Sequence, residues 1–213
     1  MKKTLILVVL ITLVAVGTSF AAISGTAHDL RSFGVISTDS YRVCVPCHTP
    51  HVGDTTISEA PLWNHNTSGA SYTTYTTSTI DTTDMTTTFG GISALCMSCH
   101  DGTVAVDSYG YAGSGYSGSG GVTTIGAVTA NLSQDLTDDH PVSFIYNAFL
   151  VAADGELNSV ATVTASLTLY GDTATDVATL ECATCHDVHD NTYPPFLAMT
   201  NNGSAMCLVC HNK

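Results

Sequence analysis

The chain has 213 residues, 44% of hydrophobic type and 11% charged, and its 18 acids against 5 Lys and Arg give a formal charge of −13. Too few cations are present to displace counterions from phosphates, which excludes nucleic acid as a partner and disfavours anionic lipid. The length suits one domain or two small ones, and charge alone leaves the fold open.

The chain opens on Lys2 and Lys3, an apolar run from Leu5 to Val16, and small residues with Ser19 and Ala21 at signal-peptidase spacing. This order predicts a signal peptide over residues 1–21, cut after Ala21 or, alternatively, Ala22. The apolar run is short for a membrane span, and no Cys follows the cut to carry a lipid anchor. Export would leave Arg31, Arg42 and Lys213 against 18 acids, a formal −15. The expected location is the periplasm or the extracellular surface.

Eight cysteines in an exported chain would ordinarily suggest disulfides. Here every one lies in a Cys-x-x-Cys-His unit: Cys44, Cys47 and His48; Cys96, Cys99 and His100; Cys182, Cys185 and His186; Cys207, Cys210 and His211. The pattern is that of covalent haem c attachment. Two thiols form thioethers with the two vinyl groups of one haem, and the next residue is held beneath the iron as its proximal ligand. Disulfides do not explain a His after each second Cys. Structural zinc does not require one four times over, and a thioredoxin-like pair needs a βαβ context that is absent. The expected cofactors are four covalently bound haem c groups.

Nine histidines are present, so His28, His51, His65, His140 and His189 remain as candidate distal ligands, one more than four irons need. His51 follows His48 by three residues, and His189 follows His186 by three. A residue at that offset stays on its own haem's proximal side, so each reaches a different iron or none. The order His28, Cys44 unit, His51, Cys96 unit recurs as His140, Cys182 unit, His189, Cys207 unit. A duplicated two-haem module follows, over about 22–130 and 131–213 within one domain of residues 22–213. His65, in the run Pro61 to His65, has no counterpart; ligation and simple hydrogen bonding both remain open for it.

Little regular structure is predicted between these sites. Thr67 to Thr88 is dense in Ser and Thr, and Tyr109 to Gly121 in Gly, Ser and Tyr, as loops are. Val122 to Thr129 and Val160 to Tyr170 alternate like half-buried strands. Cys96 to Ala105 and Leu180 to His186 suit a helical turn beside a haem. Buried porphyrins would supply apolar surface that side chains otherwise provide.

Ala27 to Leu30, Cys47 to His51, Pro61 to His65, Leu95 to Gly102 and Asp139 to Phe144 resemble the doubled Cys-x-x-Cys-His multihaem cytochromes. With four units, a signal peptide and this length, the chain resembles outer-surface tetrahaem cytochromes of metal-reducing bacteria, of the filament-forming outer-membrane cytochrome E (OmcE) type. The resemblance covers most of the mature chain. It implies a multihaem cytochrome c fold, mostly irregular coil with short helices and a few short strands wrapped around four haems. It implies extracellular electron transfer to redox partner cytochromes or extracellular acceptors. It further implies a head-to-tail homopolymer, a conductive filament in which the residue matching His51 ligates a haem of the neighbouring subunit. A soluble monomeric periplasmic carrier is the alternative. A multihaem redox enzyme would need an open iron position, often beside an irregular signature, and all four signatures here are regular. The expectation is an electron carrier without catalytic residues.

Overall fold

Runs of Gly, Ser and Thr punctuate the apolar positions closely, so no stretch sustains one backbone period for long. The computed structural model describes residues 23–36, 42–57, 59–60, 62–110 and 124–213. The expected signal peptide and most of the Tyr109 to Gly121 loop lie outside them.

In chain order the elements are β1 (Thr73–Thr74), α1 (Gly91–His100), β2 (Asp135–Leu136), β3 (Phe144–Ile145), α2 (Ala148–Asp154), α3 (Val160–Thr164), β4 (Thr179–Leu180), α4 (Cys182–Cys185) and α5 (Cys207–Cys210). Strands β1 and β2 pair in parallel, Thr73 opposite Asp135 and Thr74 opposite Leu136. Strands β3 and β4 pair antiparallel, Phe144 opposite Leu180 and Ile145 opposite Thr179. The first ladder crosses from one sequence module to the other, and α1 packs on α4 across the same divide. Most of the described chain is coil and turn, in keeping with the expected fold class.

Two small clusters form the core. Phe144, Tyr146, Leu150, Val163, Leu167, Leu169, Ala178, Leu180 and Cys210 gather beneath α2, α3 and α5. Tyr72, Met97 and Leu136 gather beside α1. Local capping positions the helices over them. Asn147 accepts the Leu150 N–H at 2.9 Å, and Gly155, at φ 72°, closes α2 by donating its N–H to the Val151 carbonyl at 3.1 Å.

Two expected strands differ. Val160–Thr164 is helical because Ser159 caps it, its hydroxyl accepting the Thr162 N–H at 3.2 Å. The alternation survives only afterwards, where Leu167 and Leu169 are buried and Tyr170 bridges Thr179. Residues 124–129 form bends and turns, without a strand among the described residues. The expected helical turn at Cys96 belongs to the longer α1, which stops at His100 rather than reaching Ala105; Gly102, at φ 72°, turns the chain away.

Candidate haem-attachment and iron-ligand site

Each Cys-x-x-Cys-His unit is wound into a single turn that brings its histidine back over its first cysteine. The N–H of His48 donates to the Cys44 carbonyl at 2.8 Å, that of His186 to Cys182 at 3.1 Å, and that of His211 to Cys207 at 2.9 Å. In the Cys96 unit helix α1 does the same work. All eight cysteines are free thiols, so none is committed to a disulfide.

The thiols of successive units lie near one another. Cys47 is pushed up to about 12 by burial, with Cys99 and Cys44 adding to the rise. Cys96 hydrogen-bonds to Cys182; that bond and then burial raise Cys96, while in Cys182 the same bond, helped by Ser93, lowers the thiol against burial, which raises it. Burial raises Cys185, with Cys182 and Cys207 close by. The attachment points therefore run through the molecule in sequence order.

Several histidines are oriented by backbone carbonyls. Nδ1 lies 2.7 Å from the Ala130 oxygen in His100, 2.8 Å from Pro141 in His140 and 3.1 Å from Pro195 in His186. Donating Nδ1–H in this way fixes the tautomer and leaves the Nε2 lone pair for a metal. His28 is pushed down to about 4, by burial first and then by His100, His186 and His189, so it is neutral, the form that ligates. Its buried Nδ1 has no hydrogen-bond partner.

Two imidazoles sharing a metal in line, each with a bond of about 2 Å, have ring centroids roughly 6 Å apart. Three pairs have this spacing: His28 and His100 at 6.0 Å, His48 and His189 at 6.1 Å, His140 and His211 at 6.3 Å. Each joins a histidine ending an attachment unit to one outside. Among the described residues, no ring contact involves His51 or His186, and His51 is exposed. His65 is buried, with Nδ1 2.8 Å from the Asn66 carbonyl and Nε2 3.1 Å from that of Ala105. The Cys99 sulfur lies 3.6 Å from the same Nε2.

Other side chains brace the site without a sequence signal to announce them. Phe196 packs on His28 at 4.6 Å between centroids. Asp101, directly after His100, accepts from the Tyr72 hydroxyl at 2.9 Å, from the Thr103 N–H at 2.8 Å and from Ser68. Burial would raise its carboxyl, but these donors outweigh it and hold it below the ordinary carboxylate range. Glu181, directly before Cys182, accepts the Ser93 N–H of α1 at 3.1 Å.

Paired thiols, a histidine turned over each pair and facing imidazoles at iron-sharing distance fit haem c. The arrangement is similar to that of multihaem c-type cytochromes, and the CXXCH units indicate covalently bound haem c. Residues 175–213, which hold the last two units, match the doubled CXXCH motif family, whose multihaem members are usually electron carriers. No curated protein matches the chain.

Proposed function

We propose that the mature chain carries four haem c groups and conducts electrons outside the cytoplasmic membrane as a homopolymer. In this reading His51 of one subunit ligates the iron attached at the Cys182 unit of the next. The observation that carries it is the division of the histidines. Three imidazole pairs stand at 6.0 to 6.3 Å within one chain, while the exposed His51 and the oriented His186 are left over.

When bound, each haem supplies a one-electron couple whose potential follows its axial ligands and burial. The chain's own residues do the rest. Cys44 and Cys47, Cys96 and Cys99, Cys182 and Cys185, and Cys207 and Cys210 fix the four edges. His48, His100, His186 and His211 would each supply one iron ligand, and His189, His28, His51 and His140 respectively would supply the second. With two histidines on each iron, no ligand position would remain for a substrate, which favours electron carriage over catalysis. His65 keeps a structural role, since both of its ring nitrogens face carbonyl oxygens. A metal–ligand bond at the contact would also give a strongly acidic surface a specific, strong, head-to-tail link that need not close into a ring.

His51→Ala is the test. The exported variant is expected to retain four haem masses by denaturing mass spectrometry, remain monomeric by electron microscopy, and show one high-spin iron that takes added imidazole. Normal filaments from the variant would overturn the intersubunit bond. A wild-type monomer with four low-spin irons would establish the soluble carrier instead. A wild-type mass without haem would end the cytochrome reading altogether.

A further inference from the structure

The three facing imidazole pairs differ in the angle between their ring planes. His48 and His189 lie within 23° of parallel. His28 and His100 stand at 72°, and His140 and His211 at 75°. Surrounding groups set these orientations. The Ala130 and Pro141 carbonyls, 2.7 and 2.8 Å from Nδ1, turn His100 and His140. Phe196 packs on His28 with 4.6 Å between centroids. The His48 ring meets the Trp63 indole at 89°, 6.4 Å away. His189 differs again, because the Asp187 carboxylate lies 3.6 Å from its Nδ1.

We propose that these ring angles make the irons unequal, the one shared by His48 and His189 being a lower-potential site than those shared by His28 with His100 and by His140 with His211. The inference rests on the multihaem reading, with two histidines on each iron. Its basis is π donation. An imidazole raises the one iron d orbital that overlaps its π system, the orbital lying across its ring plane. Parallel rings raise the same orbital, and the ferric ion's single vacancy settles there. Perpendicular rings raise one orbital each, so no orbital is raised twice. The ferrous ion has no vacancy in this set and gains nothing from either arrangement. Parallel rings therefore favour the ferric state and lower the potential.

A second observation has the same sign. A carboxylate beside Nδ1 makes an imidazole a stronger donor than a neutral carbonyl does, and a stronger donor also favours the ferric ion. His189 has Asp187 near it, whereas His100 and His140 have carbonyls. Each iron takes up one electron, going from ferric to ferrous, with both iron–nitrogen bonds kept. An electron in the chain thus rests at the Cys96 and Cys207 units and crosses the Cys44 unit as an uphill step. The same geometry fixes the magnetic signature. An orbital raised twice is well separated from its neighbours and gives a rhombic spectrum with resolved g values. Two nearly degenerate orbitals give one very large g value instead.

The test is a redox titration of the purified holoprotein followed by electron paramagnetic resonance, with haem content fixed beforehand by mass. Each low-spin signal is assigned by the variant that removes it. The signal lost in His189→Ala is expected to be rhombic, and those lost in His28→Ala and His140→Ala to be of the large-g kind. The rhombic signal is expected to have the lowest midpoint potential of these three. A large-g signal lost in His189→Ala, rhombic signals lost in the other two, or the reverse order of potentials would overturn the proposal. If a variant fails to load haem, the wild type decides: at least one rhombic and two large-g signals support the proposal, and any other set refutes it. Wild-type protein without haem, or with high-spin irons throughout, would refute the underlying reading instead.

Discussion

His28 and Tyr72 show what single side chains contribute around the second attachment unit. His28 faces His100 at 6.0 Å and is kept neutral by burial. His28→Ala should therefore convert one iron to a high-spin form that added imidazole returns to low spin, read by electron paramagnetic resonance, with four haems retained. Tyr72 donates to buried Asp101 at 2.9 Å while stacking on Phe89 at 4.7 Å. Tyr72→Phe keeps the stacking and removes one charge-assisted donor, so it should cost about 1.5–3 kcal/mol in denaturant unfolding. The Cys-x-x-Cys-His units can be read from sequence because the pattern is local: five consecutive residues would hold one haem's covalent and proximal contacts. Asp101 and Glu181 are not legible. Their partners Ser68 and Ser93 stand 33 and 88 positions away, and only the folded chain brings them together.

Among elements, the loop that carries His48 depends on a close backbone approach. Trp63 bridges both His48 and Asp54, the Thr49 N–H donates to the Leu62 carbonyl at 2.9 Å, and the Asn64 N–H donates to the Cys47 carbonyl at 2.9 Å. Gly53 lies inside this clasp, where a Cβ would stand 2.5 Å from Leu62 Cα. Backbone cannot yield as a flexible side chain does, so Gly53→Ala should destabilise the protein by roughly 1–3 kcal/mol, seen as a lowered Tm. Gly69, with open space around it, should tolerate Ala without such a loss. Sequence period was informative here only in part. Val160 to Tyr170 reads as alternating, yet Ser159 supplies a helix start that outranks the alternation for one turn. Only beyond the helix do alternate residues turn inward, at Leu167 and Leu169, before Tyr170 bridges Thr179. Both readings compete within eleven residues, and the cap decides between them.

At the scale of the whole molecule, the described polypeptide has little with which to hold itself together. Its longest helix, α1, has 10 residues and each of its paired strands has two. Isolated helices below about 12–15 residues are marginal in water, and a two-stranded pair is no better. Two modest clusters cannot easily offset the entropy of ordering so much coil. The formal charge of −13 adds self-repulsion. What could reconcile these facts is the cofactor: covalent tethers at eight cysteines would restrict the unfolded chain as disulfides do, and the porphyrins would take the place of missing apolar side chains. Folding and haem attachment should then be one event. Replacing all eight cysteines by Ser should give a chain with no cooperative thermal transition, weak near-ultraviolet circular dichroism and rapid proteolysis. Added salt should compact it by screening without restoring cooperativity. A sharp, reversible melt in that haem-free chain would show instead that the small clusters suffice, and the haems would then be passengers on a self-sufficient scaffold.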